Sequence, residues 1–324
     1  VPGEAAVDVN PEPNDAVTAG EDVEPPLKRP HNIADPKVSI DVDVEEPSET
    51  TEKADNSTKE PERKRKETLM YALYNDQQPG RQMSEGGHSK GMVIFDGEAG
   101  VWIQHSVPEF LDTSLGRYTF PGNALRNAQT VMCITFGTPE VDTIAHHLIQ
   151  HRANVYDKSV PSELSQRYPS MNDLLKGDYS RARAGVKEYT MTSLGGMRFQ
   201  SVSKPASSTI DIYSDFIAQR VATDSLLVQS WLLGRSQRIG PYCNGSTTVL
   251  DSEYVSLHMP TQPLKWRRTK DHSKWAVAVH APWFCFGSLN RVMSQKERGG
   301  EVTCMRNTHV HGLFKSAHET AEHC

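Results

Sequence analysis

Aromatic residues are missing from the first 66 positions of this 324-residue chain. No Phe, Trp or Tyr occurs there, and 17 acids stand against 9 Lys or Arg, a formal charge of −8. Pro, Glu, Asp, Ser and Thr dominate, as in VEPPLKRPHN and VEEPSETTEKADNSTKEPERKRK. Such a segment buries too little apolar surface to offset its ordering entropy, so residues 1–66 are expected to form a disordered acidic tail or linker. Long apolar runs are also lacking. None approaches the ~18 residues of a membrane span, which argues against a membrane partner. No Met and no signal sequence precede Val1, so the sequence reads as one whose signal has been removed or as part of a longer chain.

Cysteine is scarce and odd in number: Cys133, Cys243, Cys285, Cys304 and Cys324. Four of them fall in the last 82 residues, which suggests disulfides that tie down the C-terminal end. Asn56 and Asn244 head two glycosylation sequons and fit a secreted or lysosomal route. The basic run Arg63-Lys64-Arg65-Lys66 is read as a solvated linker in preference to a processing site or nuclear signal.

Residues 67–324 hold every aromatic residue and are long enough for a sizeable core. They carry a charge of +2 and 12 of the 13 histidines, so full protonation would bring them to +14. A polyanion would then be attracted in an acidic compartment. Strand-like runs recur: TLMYALYND, GMVIFD, GVWIQH, VMCITF, YTMTSL, MRFQSVSK, SLLVQSWLL, EYVSLHM, KWAVAV and WFCFGSLN. Thr138, Pro139 and Glu140 open a helix that runs on through IAHHLIQ, and SDFIAQRVA reads as a helix capped by Ser214. Strands alternating with helices give an α/β or mixed α+β class.

The tripeptide His-Ser-Lys occurs twice, at 88–90 and 272–274. On a strand, residues two apart share a face, so His88 projects with Lys90 and His272 with Lys274. An imidazole can attack phosphorus or shuttle protons, and a neighbouring ammonium can hold the nonbridging oxygens. Two facing pairs supply a nucleophile, a general acid and two cations without a metal or other cofactor. One His must be neutral while the other is charged, and cationic neighbours lower an imidazole below ~6.5, so the expected optimum lies near pH ~5. His105, at the end of GVWIQH, is a further candidate. Gly287 and Ser288 allow close phosphate approach, and Asn290 can hydrogen-bond an oxygen or orient a His.

Together YALYND, GGHSKGMVIFD, VWIQHSVPEF, DHSKWAV and FCFGSLNRVMSQKERGGEVTC resemble the deoxyribonuclease II family, from about residue 68 to Cys324. The resemblance implies a phospholipase D-like pseudo-dimer of two β-sheet lobes flanked by helices, with lobe one at about 67–180 and lobe two at about 181–324. It implies an acid endonuclease that cuts double-stranded DNA without metal, leaves 3′-phosphates and passes through a phosphohistidine. His88, Lys90, His272 and Lys274 fall on the family's motif positions, and His105 matches a further His in its HSVP stretch. Ser288 and Asn290 fall on the superfamily's GSxN element. Which imidazole attacks stays open, with His88 favoured. The resemblance pairs Cys243 with Cys324 and Cys285 with Cys304. It leaves Cys133 free, because the family's Cys-containing N-terminal region and apolar strand have no counterpart here. Ala276 also replaces a Cys common after DHSKW.

Other features receive plainer readings. His146, His147 and His151 are taken as helix surface rather than metal ligands. His309, His311, His318 and His323 match no common zinc spacing. Trp102, Trp275 and Trp283 are taken as core. A non-catalytic secreted binder or toxin with the same fold, and a phosphodiesterase for another diester, are the alternative functions. DNA is the expected partner; monomer and homo-oligomer both remain open.

Overall fold

The computed structural model describes residues 69–233, 236–260, 262–320 and 322–324. The expected acidic tail, the 63–66 basic run and Asn56 lie outside the described residues. Two large sheets carry a mixed α+β fold. Among the described residues no helix is long and apolar enough to cross a membrane.

The first sheet uses β1 (Met70–Asn75), β2 (Lys90–Phe95), β3 (Ala99–His105), β4 (Val131–Gly137) and β5 (Val155–Ser159), in the order β4-β3-β2-β1-β5. Residues 96–98 turn β2 into β3, so that only the first half of GEAG is turn and its Ala99 and Gly100 already belong to β3. Thr138–Glu140 form a short 3-10 turn that leads into α1 (Val141–Gln150). Val141, Ile144, Ala145 and Leu148 of α1 recur at helical spacing and are buried against Trp102 and Phe136. Helices α2 (Ser162–Arg167) and α3 (Pro169–Lys176) complete this layer.

The chain then builds β6 (Lys187–Thr192) and β7 (Arg198–Lys204), a π-helix at Ile212–Val221, and β8 (Leu226–Gln229), β9 (Tyr242–Asn244) and β10 (Thr247–Asp251). Strands β11 (Tyr254–His258) and β12 (Pro263–Arg267) leave for a small third sheet. The chain returns with β13 (Trp275–Ala278), β14 (Trp283–Gly287) and β15 (Gly300–Arg306), followed by α4 (Thr308–Ala317) and β16 (His318–Glu319). The second sheet runs β9-β10-β8-β13-β14-β15-β7-β6, and the third runs β12-β11-β16. The core of the second sheet gathers Leu226, Val228, Ala276 and Cys285 under Tyr213 and Ile217 of the π-helix. Trp102, Trp275 and Trp283 are all buried, as expected of core residues.

Two helix readings need correction. The π-helix is capped by Asp211, whose carboxylate accepts from the Tyr213 N–H at 3.2 Å. Ser214 lies one turn inside and donates its hydroxyl to that same carboxylate at 2.9 Å. The acid wins because it also serves Arg291. His147 and His151 are buried, and only His146 of the three is exposed. They follow Ile144 at the i+3 and i+7 positions and so share its inward face.

The structure joins Cys243 to Cys324 and Cys285 to Cys304, while Cys133 is free and exposed. Asn244 is exposed beside Cys243. Arg291 is fully buried. Its guanidinium donates to Asp211 at 3.0 Å and to the Gly240 carbonyl at 2.9 Å, and lies 3.0 Å from Asp251. One cation thus ties the π-helix start to the end of β10 and to the loop after β14. Breaking a buried pair strands its carboxylates at a cost of about 3–5 kcal/mol. Arg291→Met should therefore lower the unfolding free energy by about that amount in denaturant titration; an unchanged midpoint would remove this cross-link from the account.

Candidate active site

Both His-Ser-Lys triplets sit at the mouths of strands, not along them: Lys90 starts β2, and Lys274 immediately precedes β13. Each strand folds back as an antiparallel hairpin, β2–β3 or β13–β14. Lys90 pairs with Asn75 on β1, and the Gly287 N–H donates to the Lys274 carbonyl at 2.8 Å. His105 ends β3 as Gly287 ends β14, and each is followed by a serine.

Those serines connect the two halves. His88 Nδ1 lies 2.8 Å from the Ser288 carbonyl, and His272 Nδ1 lies 2.7 Å from the Ser106 carbonyl. A carbonyl only accepts, so in both rings Nδ1 carries the proton and the neutral ring keeps its lone pair on Nε2. The His105 ring is fixed the other way. Its Nδ1 accepts from the Val107 N–H at 3.2 Å, so Nε2 carries the proton. That Nε2 is buried without a partner, and His105 borders the same small cleft as His88, Lys90, Lys274 and Ser288.

Close backbone approach makes this crossing possible. Gly87 bridges Gly299 in parallel, and the His88 N–H donates to the Gly299 carbonyl at 2.8 Å. A Cβ on Gly87 would stand 2.4 Å from the His151 ring. On the other side the His272 N–H donates to the Ala128 carbonyl at 2.8 Å. Asp271 shapes the second triplet by accepting from the Ser273 N–H and hydroxyl and from the Trp266 indole.

Asn290 does not line the cleft. Its Oδ1 accepts from the Trp231 N–H at 3.0 Å, and the Trp231 indole stands edge-on to His272 with centroids 4.9 Å apart. Ser288 spends its hydroxyl on the Glu301 N–H at 2.9 Å. Reading the sequence missed Asp76. Its carboxylate is bonded to Lys90 at 2.5 Å, lies 3.4 Å from Arg298 and stands 3.9 Å from His88 Nε2. Only its place at the end of an apolar strand marked it, and no spacing rule singles out a lone acid there.

Beneath the cleft lies a second network that sequence reading also missed. His151 bonds Ser89 and Ser203, both at 2.9 Å. His147 bonds Glu301 at 2.7 Å, and Tyr74 donates to the same carboxylate at 3.4 Å. His147, His151 and Glu301 offer ligand atoms within 4.8 Å of one another. Every one of these atoms already has a protein partner, with Ser201 taking His147 Nδ1, so the trio fits a hydrogen-bond clamp better than a cation site. Burial pushes Glu301 up and His147 down, to about 3, favouring a neutral pair that shares one proton.

The chain matches the deoxyribonuclease II family model over residues 33–324. It belongs to the deoxyribonuclease II family. It is 34% identical to Plancitoxin-1 of Acanthaster planci over 264 residues, covering 80% of this chain and 72% of that protein. It is 33% identical to deoxyribonuclease-2-alpha of Sus scrofa, with 79% and 71% covered. To deoxyribonuclease-2 of Caenorhabditis elegans it is 27% identical, with 74% and 70% covered.

Within this family member the histidine reserve of charge is smaller than composition suggests. Desolvation lowers His88, His105 and His147 to about 3 and His151 and His318 to about 4, and with the lysine charges it holds His272 lower still. These six imidazoles therefore add little positive charge on mild acidification. The unfolded chain binds these protons from about pH 6.5 downward, and the folded chain resists until about pH 4. Stability is therefore full above that window and falls through it. Burial raises Asp251 to about 6 and also raises Asp271 and Glu301, an opposite effect from three carboxyls against six imidazoles. The thermal midpoint should decline between pH 7 and 4 without ligand; a flat or rising midpoint would contradict these assignments.

Proposed function

We propose that the chain is a metal-independent acid endonuclease that hydrolyses double-stranded DNA and leaves 3′-phosphates. The carrying observation is the reciprocal pair of Nδ1–carbonyl bonds, which leaves an Nε2 lone pair on both His88 and His272. One Nε2 forms a bond to phosphorus as the P–O5′ bond breaks, and the other imidazole, protonated, gives its proton to the departing O5′. It then takes a proton from water, whose oxygen attacks phosphorus. The P–N bond breaks, and the 3′-phosphate is released.

Lys90 and Lys274 are the cations for the nonbridging oxygens, and the His105 Nε2–H is a neutral donor aimed at the same charge. Asp76 holds Lys90 until a phosphate oxygen competes for it. Ser288 contributes its backbone carbonyl more than its hydroxyl, and Asn290 acts on His272 through Trp231. The matching hairpins β2–β3 and β13–β14 support a phospholipase D-like pseudo-dimer, with lobes at about 67–180 and 181–324 within a 67–324 catalytic domain. The acid requirement follows because desolvation and the lysines oppose the charged imidazole that the leaving group needs. An acidic lysosomal or extracellular setting suits this chemistry.

Plasmid nicking at pH ~5 in EDTA tests the reading. His88→Ala and His272→Ala should each abolish nicking, and Lys90→Ala or Lys274→Ala should lower it by about 10²–10³-fold. Full activity in either histidine variant rejects the mechanism. Nicked ends should accept a label from polynucleotide kinase at the 5′ position without prior dephosphorylation. A requirement for dephosphorylation would mean that the opposite P–O bond is cut. Mass spectrometry after an alkaline quench should place the phosphoryl group on one of the two rings.

A further inference from the structure

The 25 residues between β3 and β4 are fixed at both ends to the candidate active site. At their start, Ser106 holds His272, and Asn75 donates to the Val107 and Phe110 carbonyls at 3.3 and 3.0 Å. At their end, Ala128 accepts from His272, and the Ser106 N–H donates to the Thr130 carbonyl at 3.0 Å. Between these anchors a series of rings runs outward. His105 packs edge-on against Phe110 at 5.3 Å, and Phe110 packs against Tyr118 at 6.0 Å and Phe120 at 6.1 Å. The tip is unusually apolar for a surface loop: Tyr118 is 72% exposed, Leu125 74% and Leu115 52%. From Thr113 to Gly137 the only charges are Arg117 and Arg126. Both are exposed, and neither has a carboxylate partner among the described residues. The loop's acids, Glu109 and Asp112, stand before this stretch; the Asp112 carboxylate is spent on Ser114.

We propose that this loop is a wedge for DNA: Tyr118 and Leu125 enter an opened base step beside the scissile phosphate while Arg117 and Arg126 hold the flanking phosphates. The inference rests on the nuclease reading and names how that site takes its substrate. Apolar side chains unstack base steps when neighbouring cations hold the backbone, and an aromatic ring accepts any base face. The exposed Tyr118 and Leu125, each adjacent to an exposed arginine, fit that partner on both counts. The contacts to His105 and His272 link the depth of the wedge to the position of phosphorus. Steps that unstack easily, pyrimidine followed by purine, should be cut preferentially.

The test uses the full chain carrying His88→Ala, so that binding is read without cleavage. The probe is a DNA duplex with 2-aminopurine at a pyrimidine–purine step, titrated at pH 5. The wedge predicts a rise in fluorescence on binding. Adding Tyr118→Ala should abolish that rise and weaken binding about 5- to 100-fold, and Tyr118→Phe should restore both because the ring face is what matters. Arg117→Ala with Arg126→Ala should reduce the slope of log affinity against log salt by about 0.9 per residue. Leu194→Ser, at an exposed apolar residue elsewhere, should change nothing. Unaltered binding and fluorescence in Tyr118→Ala overturns the wedge while leaving the nuclease reading intact. Absence of DNA binding by His88→Ala alone overturns the nuclease reading, and the wedge with it. Loss of binding to phosphatidylserine vesicles, with DNA binding unchanged, would make the loop a membrane contact and overturn the proposal.

Discussion

Each candidate catalytic imidazole is held by a backbone carbonyl from the opposite half of the chain, and the rest of the site depends on that exchange. Ser288 fixes His88, and Ser106 fixes His272. Neither ring has a defined tautomer until both halves are in place. The Gly87–Gly299 bridge, the buried clamp of His147, His151 and Glu301, and the Ala128–His272 contact all brace that arrangement. A carbonyl is a sparing choice of partner. It fixes the proton on Nδ1 but brings no full negative charge to offset desolvation, so both rings stay hard to protonate.

The two halves are matched in plan but not in detail. Asp76 follows the residue paired with Lys90, and Trp231 stands at the corresponding place after β8. One puts a carboxylate near His88, and the other puts an indole edge against His272. The carboxylate favours a charged ring at His88, whereas His272 has no acid in that place and is held down by desolvation and by the Lys274 and Lys90 charges. Two rings with the same hydrogen-bond partner therefore differ in their readiness to carry a proton, which a two-step acid–base reaction requires.

Much of this was legible in the sequence. The strands from TLMYALYND to WFCFGSLN announced themselves by apolar runs bounded by turns, and the repeated His-Ser-Lys picked out both halves of the site. The missed features are those created only by folding. Glu301 and His147 lie 154 positions apart and meet because α1 packs on β7, the strand that pairs with β15. Asp76 and Arg298 are separated by 222 positions, and neither sits in a recognisable pattern. The inward face of His147 and His151 could have been seen, since Ile144 and Leu148 mark that side of α1. A preference for reading histidines as surface residues hid it. Ser214 lost its capping role to Asp211 because a distant arginine, invisible to local propensity, recruits the acid.

His105 and Gly287 occupy corresponding strand ends, and only the first brings a side chain to the cleft. The floor is therefore lopsided, with an extra N–H donor on one side and bare backbone on the other. A nucleic-acid strand has its own direction, from 5′ to 3′. Under the proposed mechanism, a strand laid across such a floor would have one favoured polarity, and each encounter would sever the strand lying in that sense and leave its antiparallel complement for a separate visit.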